Sequence, residues 1–184
     1  MRIIAGLYRG KKIATPTSMN TRPTSDRARE TIFNILSHNP AFGAQVLVDQ
    51  AVLDVFAGTG ALGLEALSRG ARSIQFIENN RATLPTLYAN VKAFDLPLSS
   101  VLEQDVHDLS RAVTPFGLIF LDPPYHKNLL LPALDRLSSQ GWFSKSSILV
   151  IEIAKDEKLL LPKNLSIVTE RACGAAKILF CKGV

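Results

Sequence analysis

Residues 51–67 read AVLDVFAGTGALGLEAL, and this stretch determines the fold class. The run Val52–Phe56 is apolar apart from Asp54 and predicts a buried β-strand. Gly58 and Gly60 then allow a tight turn, and the residues 61–69 have the leucine spacing of a helix. A strand that turns through glycines into a helix is typical of an open α/β sheet, in which ligands bind beyond the carboxyl ends of the strands.

The rest of the chain continues this alternation, which predicts a mostly parallel sheet with helices on both faces. Before the first strand, a helix is predicted through Ala28, Ile32 and Leu36, capped by Thr24 or Ser25 and closed by residues 39–40. We expect one domain over 1–184, with a hairpin extension in 1–20 and a core in 21–184. The further predicted elements are strands at 73–77, 100–103, 116–121, 148–151, 166–169 and 177–181, and helices at 84–91 and 129–137.

Length and composition exclude several classes of protein. The 184 residues suit one domain, and 47% hydrophobic with 20% charged residues excludes disorder and coiled coil. No apolar run approaches the ~18 residues of a membrane-spanning helix, and the N-terminus lacks the features of a secretory signal. Two cysteines, Cys173 and Cys181, are too few for a disulfide framework or a zinc site. We therefore expect a cytoplasmic protein that does not bind a membrane.

The net charge of +5 is concentrated at the N-terminus. Residues 1–30 contain seven basic and two acidic side chains, whereas the rest of the chain is balanced. Short apolar stretches at 2–4 and 12–14 predict a hairpin that carries much of this charge. A localised basic segment is typical of phosphate contacts with nucleic acid, although a solvated surface would have the same composition. The candidate RNA-binding residues are Arg2, Arg9, Lys11, Lys12, Arg22, Arg27 and Arg29.

Two acidic residues accompany the glycine loop. Asp54 lies on the strand that leads into the loop and suits a ligand with an ammonium or sulfonium group better than a pyrophosphate. Glu78 follows the second strand, near the ~20-residue offset at which an acidic side chain binds the ribose hydroxyls of a nucleoside cofactor. Alone, either feature could be an ordinary turn or an exposed acid. Together they favour a nucleoside ligand.

A third motif, Asp122-Pro123-Pro124-Tyr125, follows the most apolar strand. The prolines stiffen the backbone and leave carbonyl oxygens free to accept hydrogen bonds. Asp122 and the Pro123 carbonyl could accept both N–H groups of an exocyclic amine, and Tyr125 could stack on the base. The alternative is a stiff turn that ends a strand.

These motifs resemble those of a known enzyme class. Residues 54–61 resemble the first motif of class I S-adenosylmethionine-dependent methyltransferases. Residues 122–125 resemble the signature of those enzymes that methylate exocyclic amino groups of nucleic-acid bases. With the runs 22–34 and 56–71, the sequence is similar over essentially its whole length to the bacterial guanine-N2 methyltransferases of 16S ribosomal RNA.

The resemblance implies a Rossmann-like, seven-stranded α/β fold and methyl transfer from S-adenosylmethionine to the 2-amino group of one 16S guanine, that at position 966, leaving S-adenosylhomocysteine. We further expect a monomer that needs no metal and acts on 16S ribosomal RNA within the assembled or assembling small subunit. Asp54 would face the methionyl amino group, Glu78 the ribose and Asp105 the adenine amine. The implied cofactor-binding residues are Asp54, Phe56, Gly58, Gly60, Glu78, Asp105 and Val106, and the implied catalytic residues are Asp122, Pro123, Pro124 and Tyr125.

Three alternatives remain open at this point. A DNA adenine-N6 methyltransferase could use the same Asp-Pro-Pro-Tyr motif, but 184 residues leave little room for a target-recognition region. A nucleic-acid-binding module could retain a vestigial cofactor site. A small-molecule or protein N-methyltransferase would not need the basic N-terminal segment. His38, His107 and His126 have no metal-ligand spacing.

Overall fold

The computed structural model describes residues 1–16, 26–43 and 45–184. The predicted cap residues Thr24 and Ser25 lie outside these ranges. Short 3₁₀ turns occur at Pro40–Phe42, Leu98–Ser100 and Val106–Asp108. The helices are α1 Asp26–His38, α2 Ala61–Ser68, α3 Leu84–Ala93 and α4 Leu130–Ser139. The strands are β1 Ala51–Val55, β2 Ser73–Ile77, β3 Val101–Leu102, β4 Leu118–Leu121, β5 Ile148–Ala154, β6 Leu165–Cys173 and β7 Ala176–Gly183.

The strands form one seven-stranded sheet in the order β3-β2-β1-β4-β5-β7-β6. The first five are parallel, and β7 pairs antiparallel with both β5 and β6. This arrangement confirms the predicted mostly parallel Rossmann-like fold. Several boundaries differ: β3 has two residues, β4 begins at Leu118, β5 continues three residues beyond the predicted end at Ile151, and β6 and β7 extend to Cys173 and Gly183. The carboxyl ends of five strands thus share one edge of the sheet.

Helices cover both faces of the sheet, as the alternation predicts. On one face, α1, α2 and α3 pack on the strands, with the rings of Phe33 and Phe120 centred 5.7 Å apart. On the other face, α4 packs Leu134 and Leu137 against β-strand residues that include Ile119. The β4 run is buried at every position, which is why its sequence is continuously apolar.

The N-terminal hairpin, Arg2–Ala14, packs on this core and has less regular structure than predicted. It contains one antiparallel bridge, between Arg2 and Lys12, in place of two strands. Ile3 and Ile13 are both buried in the core beneath it. Backbone hydrogen bonds such as that from Ile3 to Lys11 hold the hairpin together, and contacts with the helices fix it on the core.

Glu65 of α2 supplies the first of these contacts. It is fully buried, and its carboxylate accepts the backbone N–H groups of Ile4 at 2.8 Å and Ala5 at 3.1 Å. The same carboxylate accepts Arg69 Nε at 2.8 Å. One side chain therefore satisfies two backbone donors of the hairpin and pairs with Arg69, the residue that follows α2.

Asn90 of α3 supplies the second contact. Its side-chain oxygen accepts the N–H of Ala14 at 2.8 Å, and its amide donates to the carbonyl of Ala14 at 3.1 Å. The same amide donates to the carbonyl of Thr59 at 2.8 Å. Asn90 thus joins the end of the hairpin to the glycine loop that follows β1.

Replacing Glu65 by alanine tests the role of this carboxylate. The change leaves the N–H groups of Ile4 and Ala5 and the Arg69 guanidinium without their acceptor. We expect the free energy of unfolding to fall by about 2–4 kcal/mol, measured by urea denaturation. The control Asp135→Ala, at an exposed position of α4, should change it by less than about 0.5 kcal/mol. Equal effects of the two substitutions would contradict this account of the hairpin.

Candidate active site at the carboxyl edge of the sheet

Each of the five parallel strands carries an acidic residue close to its carboxyl end. Read across the sheet from β3 to β5, these residues form an acidic row of Asp105, Glu78, Asp54, Asp122 and Glu152. Four of them are predicted site residues, which the sheet brings to one edge. Glu152 was not predicted to have a role. The acidic row concentrates carboxyl groups where ligands of this fold class bind.

Glu78 holds the glycine loop in place. Its side chain is buried, and its two carboxylate oxygens accept the N–H of Gly58 at 2.7 Å and the N–H of Asn80 at 2.8 Å. The loop has left-handed backbone at Phe56, Gly58 and Gly60, with φ of 59°, 57° and 78°. Each carboxylate oxygen keeps a further lone pair, so Glu78 can still accept hydrogen bonds from two hydroxyl groups.

Asp54 is the most deeply buried acid of the row. It is 2% exposed, and Oδ2 accepts the N–H of Gly63 at 2.9 Å. Burial, opposed by the Gly63 hydrogen bond and reinforced by the charges of Asp122 and Glu78, raises the pKa of Asp54 to about 8. A ligand cation placed beside this carboxyl would favour its ionised form.

Asp105 lies at the β3 end of the acidic row, where hydrogen bonds fix its carboxylate. Oδ2 accepts the Asn79 side-chain amide at 2.7 Å, and Oδ1 accepts the His107 N–H at 2.9 Å and contacts the His107 ring nitrogen at 2.5 Å. The hydrogen bond from the His107 backbone is the main cause of a lowered pKa of Asp105, which burial partly offsets. Val106 is buried next to it. Asp105 is therefore an oriented, half-exposed carboxylate.

The Asp122–Tyr125 motif forms the loop after β4. Pro123 is buried, Pro124 is exposed and Tyr125 is half-buried. The Tyr125 hydroxyl donates to Glu152 Oε1 at 2.5 Å. The loop continues through two left-handed non-glycine residues, His126 and Asn128, with φ of 58° and 52°. Such backbone strain is concentrated at functional sites in proteins.

The predicted RNA-binding residues differ in their exposure to solvent. Arg2, Arg9, Lys12 and Arg27 are exposed, and Lys11 lies with Nζ 4.4 Å from the ring centre of Phe94. Arg22 lies outside the described residues.

Arg29 differs from this prediction. It is fully buried, and Nη2 donates to the Arg2 carbonyl at 2.8 Å and to Asp26 at 2.7 Å. Its guanidinium therefore joins α1 to the N-terminal hairpin and does not lie on the surface.

Within residues 1–16, 26–43 and 45–184, no group of three or more His, Cys, Asp or Glu side chains could hold a metal ion. Nor does any helix described here have the length and apolarity to cross a membrane. Cys181 of β7 is buried, which raises the pKa of its thiol to about 12, and Cys173 of β6 is half-buried.

Comparisons with known proteins agree with this geometry. The model of the family described as conserved hypothetical protein 95 matches residues 1–182. Ribosomal RNA small subunit methyltransferase D of Escherichia coli K12 is 38% identical over 176 residues, covering 95% of this chain and 85% of that protein. The protein of the same name from Haemophilus influenzae is 34% identical over 179 residues, covering 95% and 89%. The solved structure of yhhF from Escherichia coli, described as a candidate methyltransferase, is 34% identical with a TM-score of 0.84, covering 100% of this chain and 97% of that one.

Replacing Gly63 by alanine tests how tightly the first turn of α2 packs on the site. A Cβ atom there would lie 2.6 Å from Phe76 Cε1 and 3.1 Å from Asp54 Oδ2. Glycine to alanine within a helix normally stabilises by about 1 kcal/mol. Because Phe76 is fully buried, we expect the opposite sign here, a loss of about 1–3 kcal/mol in the free energy of unfolding. Chemical denaturation measures it, and a stabilised variant would contradict the packing.

Proposed function

The chain belongs to the family described as conserved hypothetical protein 95, and we propose that it methylates ribosomal RNA with S-adenosylmethionine as methyl donor. The observation that carries the proposal is the Asp122–Tyr125 loop, which lies beside Glu78 and Asp54 on one sheet edge. Two relatives that are 38% and 34% identical are named as small subunit ribosomal RNA methyltransferases. The proposed target is the 2-amino group of a guanine in 16S ribosomal RNA.

The donor set at the sheet edge fits S-adenosylmethionine. A Cβ atom at Gly58 would meet only the Phe56 carbonyl oxygen, at 3.9 Å, so the loop leaves open space for a ligand. Asp54 is a buried carboxyl suited to an ammonium group, and Glu78 retains lone pairs for the ribose hydroxyls. When bound, the cofactor supplies a methyl group activated by a sulfonium centre. The proposed cofactor-binding residues are Asp54, Phe56, Gly58, Gly60, Glu78, Asp105 and Val106.

The Asp122–Tyr125 loop is proposed to bind the target base. The guanine 2-amino nitrogen is a poor nucleophile because its lone pair is delocalised into the ring. Asp122 and the Pro123 carbonyl accept its two N–H groups, which localises the lone pair toward the methyl group. Pro124 stiffens the loop, and Tyr125 stacks on the base. The protein thus contributes position and electrostatics, with no metal or covalent intermediate in this scheme.

The surface of the N-terminal segment is proposed to bind the RNA backbone. Arg2, Arg9, Lys12 and Arg27 are exposed and supply charges for phosphate groups. In this proposal the chain is a single methyltransferase domain, in which residues 1–20 extend a catalytic core of 21–184. It acts as a monomer in the cytoplasm, on 16S ribosomal RNA within an assembled or assembling small subunit.

Isotope-labelled S-adenosylmethionine tests this proposal directly. The purified protein is offered small subunits that lack their own modifications, the matching naked RNA and duplex DNA, and each is then digested to nucleosides. The expected product is labelled N2-methylguanosine from small-subunit RNA. Labelled N6-methyladenine from DNA would overturn the RNA assignment and favour the adenine-N6 alternative.

Asp122→Asn removes the proposed acceptor charge without changing the size of the side chain. We expect kcat to fall by about 100-fold or more, because an electrostatic contact with the reacting group is lost. Cofactor affinity, measured by calorimetry, should change little. The control Asp135→Asn on α4 should retain the wild-type kcat. A variant that lost cofactor binding and kept its turnover per bound cofactor would contradict the role given to Asp122.

The pKa of Asp54 predicts proton release when the cofactor product binds. At pH 7 a carboxyl with a pKa of about 8 is mostly protonated, and an adjacent ammonium group lowers that pKa, so the proton leaves. Calorimetry with S-adenosylhomocysteine, in buffers of different ionisation enthalpy, should show release approaching one proton at pH 7. The release should vanish near pH 9, where Asp54 is already ionised, and in Asp54→Asn. Equal release by that variant would show that the proton comes from another group.

A further inference from the structure

Glu152 is an acidic residue inside an otherwise apolar strand. All seven residues of β5 are buried, and Glu152 has the only polar side chain among them. Burying a carboxyl group is unfavourable unless hydrogen bonds or charges compensate for the lost hydration. A strand at this position would be more stable with a seventh aliphatic or alanine side chain. The acid therefore indicates a function for this side chain other than packing in the core.

The register of the sheet sets Glu152 beside the Asp122–Tyr125 loop. Leu121 of β4 pairs with Ile151 of β5 in parallel register, so the next residues, Asp122 and Glu152, are level on neighbouring strands. Burial, and after it the charge of Asp122, raise the pKa of Glu152 to about 7. Two neighbouring ionised carboxyl groups repel each other, which lowers the stability of the fold.

A hydrogen bond links Glu152 to the loop. The Tyr125 hydroxyl donates to Glu152 Oε1 at 2.5 Å, which draws the loop back from the end of β4 to β5. The left-handed residues His126 and Asn128 follow directly, as the chain turns toward α4. Pro123 and Pro124 restrict the backbone between Asp122 and the ring. Tyr125 is therefore held at both ends, by its stiff backbone and by its hydroxyl.

We propose that Glu152 is a positioning residue of the methyl-transfer site, which fixes the ring of Tyr125 beside Asp122 so that a planar base stacks in a single orientation. The inference rests on the proposed function and adds a residue of β5 to the proposed site. It explains why an acid occupies β5, since a hydroxyl with an ionisable acceptor forms a stronger and more directional bond than an aliphatic contact. A ring held in this way keeps the exocyclic amine aligned with its acceptors.

A double-mutant cycle tests the proposal through steady-state kinetics of label transfer. Tyr125→Phe keeps the ring and removes the hydroxyl, and we expect kcat to fall about tenfold with KM for S-adenosylmethionine unchanged. Glu152→Ala should give a similar loss. The double variant should be no worse than either single variant. Glu152→Gln, whose amide oxygen still accepts from the hydroxyl, should recover most of the activity.

The outcomes that overturn the proposal are specific. If Glu152→Ala has the same effect in the Tyr125→Phe background as in the wild type, Glu152 acts independently of the ring. If Tyr125→Phe is fully active, the hydroxyl does not position the base, and this conclusion holds even if Glu152→Ala fails to fold. A rise in KM for S-adenosylmethionine with unchanged kcat would assign Glu152 to the cofactor instead.

The chain contains a matched control pair. The Tyr88 hydroxyl donates to Glu103 Oε1, also at 2.5 Å, but on an exposed surface between α3 and β3. Tyr88→Phe and Glu103→Ala should leave kcat within about twofold of wild type, since the same bond there positions nothing that reacts. Losses as large as those at Tyr125 and Glu152 would show that the effect is not specific to the site.

The substrate that accepts the label separates this inference from the proposed function. If the label enters adenine of DNA, the proposed function fails, and the same cycle measured with DNA still decides the role of Glu152. If guanine in ribosomal RNA is labelled and the cycle is additive, the function stands and the inference fails. Absence of transfer by the wild-type protein to any of the three substrates would overturn both.

Discussion

The crowding of carboxyl groups along one sheet edge is the constraint on which the rest of the site depends. Close like charges in a buried environment are unfavourable, and backbone N–H groups offset part of this cost. Gly58 and Asn80 donate to Glu78, and Gly63 donates to Asp54. Each of these donors lies in the loop or first helical turn that follows a strand. The acids therefore determine the backbone conformation of the loops that the proposed cofactor would contact.

The same helices connect this edge to the N-terminal hairpin. Asn90 bonds both to Ala14 of the hairpin and to the carbonyl of Thr59 in the glycine loop. Glu65 lies on α2, which begins directly after that loop, and it accepts two backbone N–H groups of the hairpin. The basic segment is thus bonded to the elements that form and follow the glycine loop. Glu65 and Asn90 thus link backbone groups of the hairpin to the elements beside the site.

The sequence could predict those site residues that follow a strand with a clear end. Glu78 and Asp122 are visible because an apolar run stops beside them, and Asp54 is visible because it interrupts the apolar strand that enters the glycine loop. Glu152 was missed because β5 was predicted to end at Ile151, whereas the strand continues to Ala154 and includes the acid. Only the parallel register, which sets it level with Asp122, reveals its neighbours.

Arg29 was predicted wrongly because its charge was counted and its helical position was not. With Ile32, Phe33 and Leu36 it has the spacing of the buried face of α1.

The separation of the basic N-terminal surface from the acidic row suits the proposed reaction. Exposed cations in the N-terminal segment attract phosphate groups, whereas the acidic row repels them. A target base carries no charge and can enter the acidic edge if it is rotated out of the base stack while its phosphates stay outside. The same edge favours the sulfonium of the donor and the transient positive charge on the methylated amine. Since one surface attracts the backbone and the other admits only the base, the electrostatics alone favour an extruded nucleotide over a bound phosphate at the site of transfer.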